Sequence, residues 1–259
     1  MENERISLPV VALRGMTILP EMVAHFDVSR EKSLQAIDQA MTEGEKIFLT
    51  GQYEIETEDP DVTDIHRIGC IATIKQIVKL PKKISRVLVS GEQRAELIDL
   101  EFKEPYLRGT VAVREDVDTS WEDTGTEQSP LNLEAMVQGL RDIFKEYMAK
   151  NPKIAKEFSD QIDQITNLKK MVNVINANVP MSYPEYQEFL EETNLMKRYD
   201  KLAYKLVNEI QVLNIKEELQ EKIKERVDKN QREYILREEL KLIREELGDE
   251  NQLSDADEF

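Results

Sequence analysis

Residues 200–247 read DKLAYKLVNEIQVLNIKEELQEKIKERVDKNQREYILREELKLIREEL and decide the architecture of the chain. Neither Pro nor Gly occurs in this stretch. Glu, Lys, Leu, Gln and Arg dominate it, and apolar residues recur at intervals of three and four, which is typical of a long amphipathic helix. Such a helix would extend roughly 70 Å. We therefore expect it to connect or assemble other parts, with Gly248 providing its stop.

The apolar residues of this helix form three stripes. They are Leu202, Leu206, Ile210 and Leu213; Leu219, Ile223 and Val227; and Leu236, Leu240, Ile243 and Leu247. The phase of the pattern shifts near residues 228–231, where we expect a kink or the point at which the helix leaves a bundle. Packing within the chain is the favoured interpretation for residues 202–227. A coiled coil with a second chain is an equally good interpretation for residues 236–247.

The composition indicates a soluble protein with one or two domains. The 259 residues carry a formal charge of −17, and 34% of them are charged. This acidic balance argues against a general nucleic-acid surface, because phosphate contacts need clustered Lys and Arg. No apolar run reaches the roughly 18 residues of a membrane span, and the N-terminus lacks the features of a signal peptide. We therefore expect a cytoplasmic location.

Residues 1–117 are predicted to form a β-rich domain. An apolar segment at residues 6–13 contains Pro9, and a second at residues 17–28 contains Pro20. Because proline cannot donate a hydrogen bond to a neighbouring strand, both strands should be short, bulged or at an edge. Later segments alternate in polarity and supply about four more strands.

One helix interrupts these strands. It is expected over residues 30–41, with Ser29 as the N-cap and Gly44 as the stop. Further along, residues 81–83 predict a hairpin turn, and residues 91–94 predict a second turn or a bulge. The absence of regular strand-helix alternation favours an antiparallel arrangement.

The rest of the chain is predicted to be helical. Expected helices before the long one lie at residues 131–150, 154–162, 168–179 and 183–192. The predicted divisions are a β-rich domain at 1–117, a linker at 118–130 containing Trp121, a helical subdomain at 131–199, the long helix at 200–248 and an acidic disordered tail at 249–259. The fold class is α+β: a small antiparallel-dominated β barrel-like domain with one helix, then an α-helical bundle ending in a very long helix.

Signals of catalysis are missing from the sequence. It contains neither a phosphate-binding Gly-x-x-x-x-Gly-Lys-Ser/Thr loop nor a Gly-x-Gly-x-x-Gly motif. His25, His66 and Cys70 lie in separate segments, so a zinc site or a Cys-His pair is not expected. Cys70 is interpreted as a small buried hydrophobe. We expect no catalysis, cofactor or metal in this chain.

Binding is the remaining class of function. Candidate contacts for unstructured polypeptide lie in turn-rich places and on the last part of the long helix, where apolar residues are expected to be accessible. They are Met16, Leu19, Pro20, Met22, Leu80, Pro81, Tyr234, Leu236, Leu240 and Ile243. The alternative for the first six is that they belong to the core.

Several segments resemble a known family in their order and spacing. They are LPVVALR at 8–14, ILP at 18–20, DVSREKSL at 27–34, GCIA at 69–72, LP at 80–81, VLVSGEQRA at 87–95 and NQREYILRE at 230–238. The first six sets resemble the N-terminal substrate-binding domain of Lon, the bacterial ATP-dependent protease. The last resembles the helix that leads to the ATPase module of that family.

The resemblance implies recognition of protein substrates. In Lon-like proteases a hexamer couples this region to an ATPase ring and a Ser-Lys protease, so ATP and Mg²⁺ are implied for the parent protein alone. The sequence stops at Phe259, before any Walker motif, and we expect a non-catalytic fragment that captures unfolded or damaged proteins. Two alternatives stay open: a coiled-coil oligomerisation or spacer module, and a standalone ligand-binding adaptor.

Overall fold

The computed structural model describes residues 5–117, 130–151 and 156–246. The chain divides into two compact units, one up to Leu206 and one from Val207. The predicted α+β class is confirmed, since the first unit combines a mixed sheet with helices. The predicted stop at Gly248, the acidic tail and all of the linker except Pro130 lie outside the described residues.

The described elements follow the predicted order closely. The strands are β1 (Arg5–Leu13), β2 (Val23–Val28), β3 (Lys46–Gly51), β4 (Ile68–Leu80), β5 (Ile84–Phe102) and β6 (Arg108–Val113). The helices are α1 (Glu31–Thr42), α2 (Pro130–Lys150), α3 (Lys156–Asp163), α4 (Leu168–Asn178), α5 (Tyr183–Glu191) and α6 (Leu195–Glu246), and a short 3₁₀ turn lies at Val62–Asp64.

The strands form one six-stranded sheet that partly closes on itself. Its order is β2-β5-β4-β3-β1-β6, and β6 also pairs with β5. Among the pairings between these six strands, β1 with β3 is parallel and the others are antiparallel. The closure is not that of a regular barrel, because β2 pairs with the first half of β5 and β6 with its second half. The parallel pair was not predicted.

β1 is buried on both faces, which explains its nearly continuous apolar sequence. Val11 and Leu13 belong to the core beneath α1, together with Ile37. Val10 and the other even-numbered residues of β1 face a second core, which contains Phe48. Each fully buried side chain of this size stabilises the fold by roughly 1.5–3 kcal/mol.

The start of α1 differs from the prediction. Ser29 is not the N-cap; Arg30 holds that position, and no side chain caps the helix. The Arg30 side chain turns instead toward the sheet, where it donates to the Gln52 Oε1 atom at 2.7 Å and to the Ala12 carbonyl at 3.3 Å. The stop is confirmed, because Gly44 follows the C-cap with a φ of 108°.

The predicted hairpin and bulge are both present. Lys82 and Lys83 have φ angles of 64° and 58°, so both turn residues are left-handed. At the second predicted turn, residues 91–94, β5 continues as a single strand where two were expected. Its register with β4 shifts at Glu92, which is the extra residue of a bulge. Next to it, a Cβ on Gly91 would lie 2.1 Å from the Leu19 carbonyl oxygen, so this close approach requires glycine.

α6 begins within residues 194–199, the segment expected to start the long helix or the turn into it, and it is buried for a shorter distance than predicted. The side-chain oxygen of Asn194 accepts hydrogen bonds from two amides of the first turn, which fixes the start at Leu195. The first apolar stripe of the helix is buried from Leu202 to Ile210. The prediction of packing within the chain is wrong for the second stripe, since Leu219, Ile223 and Val227 are exposed. The helix runs without a break through residues 228–231.

Candidate functional site

An open groove of about 420 Å³ follows β2 and is called the β2 groove. It is lined by residues 11–14, residues 25–30, Met16, Ser33 and Arg86. Successive residues of a strand point to opposite faces of the sheet. A groove that touches four consecutive residues of β2 therefore runs along the edge of this strand.

The floor of the β2 groove is apolar. Val11, Leu13, Phe26 and Val28 are buried members of the core, and Met16 is half-buried against the same core. The exposed lining residues lie above this floor, so the groove is open to solvent. Its volume falls within the roughly 300–1,000 Å³ of ordinary ligand sites.

The rim of the groove carries more positive than negative charge. Arg86 is paired with Asp27 through hydrogen bonds of 2.7 and 2.8 Å, so these two charges neutralise each other. Arg14 forms no ion pair with a described residue, and Arg30 donates to neutral oxygen acceptors. Burial, and then the charge of Arg14, lowers the pKa of Arg30 below its ordinary value. The carboxylates of Asp59 and Glu58 oppose this shift, so Arg14 is the rim arginine that has no ion pair with a described residue.

A second groove adjoins the first, and the two share Ala12, Arg14, Ser29, Arg30 and Ser33. It contains several carboxylates, and Lys32 forms ion pairs there with Asp59 at 2.8 Å and Glu104 at 2.9 Å. Arg14 and Arg30 line this groove as well, but its additional carboxylates make it less suited to an acidic partner than the β2 groove.

The predicted contacts in the sheet do not form one patch. Met16 lines the β2 groove, and Met22 lies half-buried before β2. Leu19 is 1% exposed and Pro20 is buried, so these two belong to the core as the alternative stated. Half-buried Leu80 and exposed Pro81 lie at the β4–β5 turn, beyond the opposite end of β2.

The predicted contacts on α6 are all accessible. Tyr234 is 64% exposed, and Leu236, Leu240 and Ile243 are each more than half exposed. They belong to the second unit, as do the exposed residues of the preceding stripe. An extended apolar helix surface of this kind is suited to contacts with another chain.

A buried charge cluster joins the sheet to the helices of the first unit, and sequence reasoning missed it. The Asp116 carboxylate accepts a hydrogen bond of 2.6 Å from Arg94 and pairs with Arg198 at 2.8 Å and with Lys169 at 3.0 Å. Arg94 also donates to the Leu190 carbonyl. The side chains of Arg94, Asp116 and Arg198 are no more than 4% exposed.

The charges of the cluster shift its titration. Burial, and then the charge of Arg198, lowers the pKa of Arg94 to about 10. Burial alone would raise the pKa of Asp116, yet Arg198 and Arg94 hold it below its ordinary value. Asp116 is therefore the anion that keeps two buried guanidinium groups in place.

No arrangement typical of catalysis or metal binding occurs among the described residues. No group of three or more His, Cys, Asp or Glu side chains there could hold a metal ion. Cys70 is fully buried, and burial raises the pKa of its thiol to about 12. His25 lies exposed on β2, whereas the His66 Nδ1 atom is 3.2 Å from the Glu191 carboxylate. Within the ranges 5–117, 130–151 and 156–246, no helix is long and apolar enough to cross a membrane.

Comparisons with known proteins agree on one family. Residues 7–209 match the model of the ATP-dependent protease La (LON) substrate-binding domain. The chain is 42% identical over 257 residues to the Lon protease of Lachnoclostridium phytofermentans and 37% identical over 255 residues to that of Clostridioides difficile. The match covers 97% of this chain in both cases, and 30% and 32% of those proteins.

A solved structure has a similar fold. It is the N-terminal domain of Mycobacterium avium complex Lon protease, with a TM-score of 0.58 and 17% sequence identity. The match covers 80% of this chain and 98% of that one. At this identity the likeness extends to the fold alone.

Proposed function

Because the chain belongs to the family of the ATP-dependent protease La (LON) substrate-binding domain, we propose that it captures unfolded or damaged proteins for an ATP-dependent protease. The chain spans about a third of the length of the two Lon proteases named above. ATP hydrolysis and peptide cleavage are accordingly assigned to other parts of the parent protein, and this region has a non-catalytic role in the cytoplasm.

The observation that carries the proposal is the β2 groove. It exposes an apolar floor beside Met16, and the thioether of methionine adapts to side chains of different shape. An unfolded protein differs from a folded one in offering extended backbone and unburied apolar side chains. An open groove with such a floor is suited to that difference and needs no particular sequence.

The expected mechanism is weak capture at several copies. One groove of this size provides modest affinity, whereas several copies in one ring raise the effective concentration of a bound substrate. A hexameric parent is part of the proposal. It should bind an unfolded protein much more tightly than the single chain does, and equal affinities would contradict this mechanism.

The direct test measures fluorescence anisotropy of a labelled, permanently unfolded protein on titration with the chain. Met16→Gln should weaken binding severalfold, because it replaces an apolar groove contact with an amide. Met41 is exposed on α1 and does not line the β2 groove, so Met41→Gln is the matched control. Equal binding by both variants and the original chain would exclude the groove, and equal binding of the same protein in its folded form would exclude selective capture.

Assembly through α6 is a second candidate function, favoured by the exposed apolar stripe. Glutamate substitutions at Leu236, Leu240 and Ile243 should convert any dimer or larger species to monomer in sedimentation experiments, because charges cannot be buried unpaired between helices. A control triple variant adds the same charge at exposed polar positions: Gln211→Glu, Gln220→Glu and Gln231→Glu. A monomeric original chain, or equal sedimentation of both triple variants, would contradict assembly by this stripe.

A further inference from the structure

The outer edge of β2 has unpaired backbone groups. In the described part of the chain, β2 pairs with β5 and with no other strand. The Gly91 amide donates to the Met22 carbonyl at 2.8 Å. Because hydrogen-bonded pairs alternate in an antiparallel ladder, the N–H and C=O groups of Val23, His25 and Asp27 point away from β5. Three successive outward positions can therefore accept another strand.

The β2 groove lies against this edge. Its opposite wall is the last part of β1, beyond the residues that pair with β6. On that wall the Ala12 carbonyl is already bonded to Arg30, so hydrogen-bonding capacity is concentrated on the β2 side. The groove is thus a gap between two strands, with an apolar floor and one available backbone edge.

The charge of the rim selects among extended segments. The chain as a whole has a formal charge of −17. In contrast, exposed Arg14 borders the groove without an ion pair to a described residue, and Asp27 is already paired with Arg86. An acidic side chain would be attracted to this rim and repelled by most of the remaining surface.

We propose that an extended polypeptide segment, with acidic residues among apolar ones, adds to the outer edge of β2 as a further strand. Its backbone pairs with Val23, His25 and Asp27, its apolar side chains contact Met16, and a carboxylate lies near Arg14. This mode rests on the proposed function and specifies the conformation and chemistry of the captured segment. Main-chain pairing provides affinity, and alternate side chains provide preference.

The backbone part of the proposal is tested with proline at an outward position. His25→Pro removes one outward N–H group and leaves the inward bonds to β5, whereas His25→Ala removes the side chain and keeps the N–H group. The ligand is a fluorescein-labelled peptide of alternating valine and glutamate. His25→Pro should raise its Kd about tenfold, with little change for His25→Ala. Circular dichroism checks that both variants are folded.

A second measurement leaves the protein unchanged. The peptide is N-methylated on alternate amides, once in each of the two possible registers. Methylation in one register should abolish binding, because it blocks the peptide edge that faces β2. The peptide methylated in the other register keeps that edge free and should bind more tightly than the first. Equal binding of both methylated peptides, or normal binding by His25→Pro, would overturn strand addition.

The preference for acidic segments is tested by reversing the charge of Arg14. Arg14 is exposed and unpaired with any described carboxylate, so Arg14→Glu should leave folding unchanged. This variant should weaken binding of the glutamate peptide and strengthen binding of a valine-lysine peptide. An unchanged preference would overturn the acidic specificity.

The remaining outcomes separate this inference from the proposed function. If His25→Pro dissociates a dimer of the chain in sedimentation, the edge is occupied by a second copy and the proposal is wrong. Binding of the unfolded protein to His25→Pro and to the original chain with equal affinity would contradict strand addition alone. Failure of the original chain to bind either the peptide or the unfolded protein would contradict the proposed function as well.

Discussion

Replacing Asp116 with asparagine tests the buried charge cluster of the first unit. The substitution preserves the size of the side chain and removes its negative charge. Arg94 and Arg198 then lie buried beside each other without the carboxylate that pairs with both at 2.6 and 2.8 Å. The expected result is a large loss of folding stability.

The magnitude follows from the burial of the partners. Their side chains are 4% and 1% exposed, so neither guanidinium group can turn to water while the fold is intact. Removing one partner of a buried ion pair costs about 3–5 kcal/mol, mainly because the other charge stays buried and unpaired. This loss is a large fraction of the roughly 5–15 kcal/mol that stabilise a typical domain.

Urea unfolding followed by circular dichroism measures the effect. Asp27→Asn is the matched control, since Asp27 pairs with Arg86 on the surface, where both side chains are nearly half exposed. Such an exposed pair contributes little to stability, because solvent screens its charges. If Asp116→Asn lowers the free energy of unfolding by no more than Asp27→Asn does, the cluster is not a source of stability and the reasoning is refuted.

The pH dependence of stability provides an independent check on the same residue. The pKa of Asp116 is lowered in the folded state, so its charge stabilises the fold above the ordinary pKa of an aspartate. That contribution is lost as the pH falls through the lowered folded-state pKa. The original chain should therefore lose more stability on acidification than Asp116→Asn does, and parallel acid profiles would contradict the assignment.

Three further predictions concern other buried or paired groups. The Cys70 thiol should not react with Ellman's reagent until the chain unfolds, because burial raises its pKa to about 12; rapid reaction of the folded chain would contradict this. Gly91→Ala should lower the free energy of unfolding in urea by about 1–3 kcal/mol, since the added methyl group meets the Leu19 carbonyl oxygen; an unchanged midpoint would show that this turn can relax. Hydrogen bonding from the Ser182 backbone, and then from a lysine, lowers the pKa of Glu185 to about 2, so Glu185→Gln should reduce the loss of stability between about pH 4.5 and pH 2; acid titrations that match the original chain would refute this.

Elements with strong local periodicity were predicted well from the sequence. α6 is long, its apolar residues match one period, and burial follows the pattern as far as Ile210. The Lys82-Lys83 turn was also found, because turn residues between two alternating segments are a local signal. Such features depend on residues close together in the chain. β1 was expected to be short, bulged or at an edge, yet it has nine residues and lies between β3 and β6 in the sheet.

Features that depend on distant residues were missed. Ser29 has the chemistry of an N-cap, yet Arg30 takes that position because its side chain reaches oxygen acceptors on other segments of the sheet. The Arg94–Asp116–Arg198 cluster combines residues from the sheet and from α6, and no local pattern marks a buried arginine. The parallel pairing of β1 with β3 likewise has no signal in either strand.

The candidate site was predicted in part. Met16 was identified by its residue type in a turn-rich segment, and the structure has it in the β2 groove. Leu19 and Pro20 have the same kind of signal and are buried, because a short chain segment between β1 and β2 covers the core with these residues. Arg14 and Arg30 were not identified, because their position beside the groove depends on how β1 and β2 are arranged in the folded chain.

The position of β1 in the sheet also has a consequence for synthesis of the protein. β1 leaves the ribosome before the other five strands of this sheet, but its ladder with β6 pairs Arg5 with Ala112 and cannot form until that residue has been made. Contacts between residues far apart in the chain form late in folding. Until then the edge of β1 that pairs with β6 stays open to aggregation or to chaperones. We propose that this domain recognises unfolded chains. Before its own folding is complete, it is therefore itself an unfolded chain that such a domain could bind.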